Sequence, residues 1–80
     1  MADEDIITRI NGLAHEEHQL FEKESEGMAS AKERDRLKEI QVQLDQCWDL
    51  LHQRRARRSA GLDPEQAAVR PETTVEGYVD

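Results

Sequence analysis

The chain is poor in aromatic residues, with one phenylalanine, one tyrosine and one tryptophan among 80 residues. Aliphatic side chains must therefore supply most of any core. A single cysteine excludes an intramolecular disulfide and a cysteine-based zinc site within one chain. No apolar run exceeds three residues, so no segment reads as a membrane span. The opening Met1-Ala2-Asp3-Glu4-Asp5 is acidic and lacks an apolar stretch, so it does not read as a signal peptide. A soluble cytoplasmic protein is the expectation. Basic charge is also in short supply: 11 lysines and arginines face 18 acidic residues, for a formal net charge of −7. That balance favours solubility and argues against generic affinity for nucleic acid. Eighty residues make one small domain with no room for a separate catalytic one. A chain this short buries little core alone, and small helical chains often compensate by associating.

What the sequence does have is two apolar stripes. Ile6, Ile10, Leu13 and Leu20 form the first, widened on one side by Ile7, Ala14 and Phe21. The second is Leu37, Ile40, Leu44, Cys47 and Leu51, widened by Trp48 and Leu50. Steps of three and four place each set on one face of a helix. Between them lies Glu26-Gly27-Met28-Ala29-Ser30, a turn. The pattern is an all-α fold, an antiparallel helical hairpin over residues 1–60 that self-associates into a helical bundle.

Boundary signals give a first helix over about residues 3–26, a turn at 27–30 and a second helix over about 31–59. Asp3, Glu4 and Asp5 supply a cap and negative charge at the positive end of the first helix dipole. Gly27 suits the left-handed position after its C-terminus. Gly12 should weaken this helix by roughly 1 kcal/mol relative to alanine, and it leaves room for close approach of a partner helix. Glu17 and Glu24 fall at inward positions after Ile10, so the far half of the stripe should pack loosely. Ser30-Ala31-Lys32-Glu33 is a capping box. Gly61 fits the cap of the second helix, and Arg54, Arg55, Arg57 and Arg58 lie at its negative dipole end. Residues 61–80 form a C-terminal tail. Asp63-Pro64 marks a single helical turn over 64–68, and residues 71–80 are either disordered or extended over the helices.

Several of these residues also form longer strings. Gln46-Cys47-Trp48-Asp49-Leu50-Leu51 and Gln53-Arg54-Arg55-Ala56-Arg57-Arg58 follow an isoleucine-rich first helix that carries His15-Glu16-Glu17-His18. Val69-Arg70-Pro71 and Val75-Glu76-Gly77-Tyr78 close the chain. This arrangement resembles, end to end, a small bacterial family known only as a domain of unknown function. The resemblance supports the boundaries and implies no activity, substrate, cofactor or catalytic residue.

The strings invite several chemical readings. His15 and His18 are three apart, whereas the zinc-protease helix needs histidines four apart with glutamate after the first. Asp49 and His52 have the i, i+3 spacing of di-iron bundles. A turn near residue 28 sets the two pairs roughly 15 Å apart along the axis, so only contacts across chains would join them. No metal and no cofactor are expected. Cys47, inward and flanked by Asp45 and Asp49, reads as a small buried hydrophobe rather than a thiolate nucleophile. Trp48, at the edge of its stripe, reads as an interface anchor, with Val75 and Tyr78 of the tail as the alternative cover. The interface set is Ile7, Phe21, Leu44, Cys47, Trp48, Leu50 and Leu51.

The arginine run reads first as ion pairing with the acidic N-terminus, folded back beside it, and second as a phosphate-binding patch. The acidic tip from Glu22 to Glu26 resembles, in shape and charge only, hairpin factors that probe RNA polymerase. A non-enzymatic homo-oligomeric interaction or structural module is therefore expected, with itself and an unknown protein as partners. The alternative is a regulatory binder of nucleic acid or transcription machinery through the arginine run or the tip.

Overall fold

A computed structural model describes residues 2–72. Among them are two long helices, α1 (Asp3–Ser25) and α2 (Ala31–Ser59), one 3₁₀ turn (Pro64–Gln66) and no strand. The two helices form an antiparallel hairpin, and cross-helix pairs such as Lys23–Glu33 and Asp3–Arg54 record its register. At 1.5 Å per residue α2 is about 43 Å long. None of the helices among the described residues is long and apolar enough to cross a membrane.

Local chemistry sets each boundary. The N-cap of α1 is Ala2, not Asp3. The Asp5 carboxylate reaches back to accept from the Ala2 backbone N–H at 3.1 Å. That leaves Asp3, one residue inside the helix, free to turn its carboxylate toward α2. At the tip Gly27 has φ +71°. Met28 N–H donates to the Lys23 carbonyl and Gly27 N–H to that of Glu24, a Schellman closure that needs the left-handed residue. α2 starts in the capping box: Glu33 N–H donates to Ser30 Oγ, and Ser30 N–H to Glu33 Oε1. It ends in a second Schellman closure at Gly61, where Leu62 N–H reaches the Arg57 carbonyl.

The core lies between the helices and toward their open ends. Ile6, Ile10 and Leu13 from α1 meet Ile40, Cys47, Leu50 and Leu51 from α2, with Leu20, Leu44 and Ala67 packed against them. No residue of α1 beyond Leu13 is buried. Glu17 occupies the next inward position, and a carboxylate there cannot be buried cheaply. The looser half is braced by charge instead. Arg36 forks onto Glu16 at 2.7 and 3.0 Å, and Lys23 donates to Glu33 at 2.6 Å.

Gly12 makes no close approach within the chain. A Cβ built there meets nothing within 4 Å, and its backbone is not in the left-handed region. Gly12→Ala should therefore raise stability by about 0.5–1 kcal/mol through lower unfolded-state entropy and better helix propensity. Urea melts of the two chains would show it as a higher midpoint at unchanged slope.

After Gly61 the chain doubles back along α2 as a strap, residues 63–70. Asp63 caps its 3₁₀ turn by accepting from Glu65 N–H at 2.9 Å. The expectations for Val75 and Tyr78, and for the rest of residues 73–80, lie outside the described residues.

Candidate functional site

Two faces of the hairpin carry distinct surfaces. On α2, Trp48 lies about 200° around the helix from both Gln46 and Leu50 at 100° per residue. On α1, Ile7 lies the same angle from Arg9. Gln46, Leu50 and Arg9 line a cleft under the strap together with Ile6, Gln43, Cys47 and Val69. Trp48 and Ile7 therefore mark the other, open face.

That open face carries the apolar residues the hairpin does not enclose. Ile7 is 41% exposed, and Phe21 and Trp48 are each 45% exposed. Ile7, Ala14 and Phe21 repeat at steps of seven along α1. By the register of the Asp3–Arg54 pair Trp48 lies close to the level of Ile7, and Leu44, one turn before it on α2, is half-buried. The remaining members of the interface set are placed elsewhere. Cys47, Leu50 and Leu51 are buried inside the single hairpin, Leu51 to 1% exposure. An interface can use them only as support. Leu50, which widens the α2 stripe and reads as an interface residue, is 8% exposed and shares a cleft with Val69 of the strap.

The arginine run is engaged within the chain. Arg54 is 5% exposed. Its Nε donates to Asp3 at 2.6 Å, Nη1 to the Pro64 carbonyl at 3.2 Å and Nη2 to Glu65 at 3.2 Å. Arg58 donates to both oxygens of Asp3, and Arg57 to the Asp63 carbonyl and the Gln66 side chain. The guanidinium of Arg58, then that of Arg54, holds the Asp3 carboxyl down from 3.8 to about 2. Arg55 is exposed.

The other candidate groups are dispersed. Asp49 is 3% exposed, accepts from Gln53 at 2.9 Å and pairs with Arg70 at 3.4 Å. His18 faces Glu22 at 3.2 Å one turn on. His15 and His52 are exposed. No group of three or more potential metal ligands occurs among the described residues. Burial pushes the Cys47 thiol above its ordinary range, while Arg9 beside it pulls the other way. A buried, protonated thiol is a poor nucleophile.

A family model described as a protein of unknown function, DUF2630, matches residues 2–80. The chain belongs to this family. Among similar proteins are the uncharacterized protein Rv0898c of Mycobacterium tuberculosis (strain H37Rv) and the uncharacterized protein Mb0922c of Mycobacterium bovis. Each is 44% identical over 77 residues, covering 95% of this chain and 88% of the relative. No solved structure matches the chain.

For this DUF2630 chain, sequence reasoning missed the strap's grip on α2. Gln46 donates to the Arg70 carbonyl at 3.2 Å and Gln53 to that of Ala68 at 2.7 Å, adding to the contacts of Arg54 and Arg57. These donors recur along one side of α2 and read backbone carbonyls, which every residue type offers. The one available signal was a glutamine and arginine row at helical spacing beside an Asp-Pro turn.

Proposed function

We propose that this hairpin is a non-enzymatic, cytoplasmic interaction module that associates with a second copy through its open face to make a four-helix bundle. The observation that carries the reading is the exposed row of Ile7 and Phe21 on α1 with Trp48 on α2. Soluble monomers rarely leave an apolar surface of this kind uncovered, and a small two-helix chain gains most from covering it. Packing two hairpins face to face is the usual way to build such a bundle. The polar side chains support a structural rather than a catalytic role: Asp49 is held by Gln53 and Arg70, and the thiol is buried. Arg54, Arg57 and Arg58 spend donors on their own chain. This favours self-association over phosphate binding through the arginine run.

Light scattering coupled to size exclusion tests the reading. At tens of micromolar protein the mass should be at least twice the 9.2 kDa of one chain. Trp48→Ala should weaken the association by roughly 30-fold or more, as loss of an interface anchor does. Its helical circular dichroism should persist, because Trp48 is not part of the buried core. A monomer mass for the wild-type chain at that concentration would overturn the proposal.

A further inference from the structure

The strap side of α2 has the properties of a peptide groove already filled. Four α2 side chains hold the strap chiefly by its backbone: Arg57 takes the Asp63 carbonyl, Arg54 that of Pro64, Gln53 that of Ala68 and Gln46 that of Arg70. Asp63 and Pro64 open the 3₁₀ turn, and the chain runs extended only from Ala67, so the contacts hold a turn followed by an extended stretch while leaving its side chains open to choice. The strap's own apolar anchors are weak. Ala67 packs on the core, but Val69 remains 60% exposed over a cleft of about 110 Å³ lined by Ile6, Cys47 and Leu50. Val69 is one wall of this cleft and leaves its volume open. Just beyond, the buried Asp49 carboxylate meets Arg70 at 3.4 Å, and Arg70 itself is half-exposed. The groove therefore offers side-chain donors for backbone carbonyls from Arg57 to Gln46, with an apolar cleft and the Asp49 carboxylate between them. A sharp turn at Gly61, φ +74°, joins the strap to α2.

We infer that this groove is a docking site for a segment of another protein that opens in a turn and continues extended, one that places a bulkier aliphatic residue at the Val69 position and an arginine or lysine next to it. The strap is then an internal stand-in for that segment. Being tethered, it competes at an effective concentration in the millimolar range, so a partner engages only by outbidding it through the pocket. The groove lies on the opposite side of the hairpin from Trp48, so docking is independent of the self-association proposed above.

Labelled peptides of residues 61–72, carrying Val69→Leu or Val69→Asp, and full-length chains test this by fluorescence anisotropy. Val69→Asp in the full-length chain loosens its strap and leaves α2 untouched. The leucine peptide should bind that chain at least about tenfold more tightly than it binds wild type, because the tethered competitor is weakened. It should also bind at least tenfold more tightly than the aspartate peptide. A full-length Arg70→Ala chain, loosened from an exposed position, should give the same gain. Unchanged mass in light scattering would separate docking from the open face. Equal weak binding to all chains would overturn the groove. A native-sequence peptide that bound as well as the leucine peptide would overturn the partner assignment and point to strap exchange between copies.

Discussion

Leu51→Ala is expected to leave the chain largely unfolded at room temperature. Leu51 is 1% exposed, and it belongs to the same cluster as Ile6 and Ile40, the other two largest side chains that are fully buried. Truncating a buried leucine costs about 2–5 kcal/mol, the upper part applying where the surroundings cannot collapse into the gap. A hydrophobic core in a chain of this size supplies only about 3–5 kcal/mol in total. The loss is thus comparable with the whole stability. Far-UV circular dichroism should show most of the helix signal gone at low micromolar protein, where association adds little. A cooperative melt within a few degrees of wild type would place Leu51 outside the core. Trp48→Ala is the informative contrast. It removes a larger side chain but from the open face, so it should alter mass more than helicity.

The hairpin was legible in the sequence because its causes are local or periodic. Ile6, Ile10 and Leu13 on one side, and Leu37, Ile40, Cys47 and Leu51 on the other, follow helical spacing and are buried. Ser30 and Glu33 announce their capping box, and Gly27 takes the positive φ its position suggested. Glu17 explains the loose far half. Less legible were features that depend on a long-range partner. That the arginine run pairs with the acidic N-terminus was legible from the fold-back, but not which carboxylate: Asp3, which reads as the cap, is the one drawn to Arg54 and Arg58. Leu50 reads as an interface residue at the edge of its stripe because nothing in the period of α2 reports a strap beside it. Arg54 reads like Arg55, Arg57 and Arg58. Only the fold separates them: Arg54 faces the hairpin seam, where α1 begins and the strap turns back. Apolar period finds the face of a helix that meets another helix. It is silent about a face that meets backbone carbonyls.

Arg54 is accordingly the arginine whose loss should matter, although the run offers four. It ties three segments at once, the first turn of α1 through Asp3, the strap through Pro64 and Glu65, and α2 itself. Because it is nearly enclosed, removing it leaves the Pro64 carbonyl without this donor and Asp3 with only Arg58. Deleting one partner of an enclosed charge network is far more damaging than deleting an exposed charge. Arg54→Met keeps much of the stem's packing and removes the fork, so it isolates this effect. A fall in Tm on the order of 10 °C is expected, against less than about 2 °C for Arg55→Ala in the same run. Equal small shifts for both variants would reduce Arg54 to a surface charge. The acid limb gives an independent reading of the same network. Asp3 titrates near 2 in the folded chain instead of 3.8, so its pairing stabilises fully above about pH 4 and is lost as pH falls toward 2. Glu16, held down by Arg36, and Glu33, held down by Lys23, act in the same direction. Asp3→Asn should therefore be less stable than wild type at neutral pH and lose less on acidification, the two curves converging near pH 2. Thermal melts between pH 7 and pH 2 would show this as a shallower acid slope. Parallel curves would mean that the Asp3 carboxylate contributes nothing through its charge, and that Arg54 holds the hairpin by its contacts with the strap.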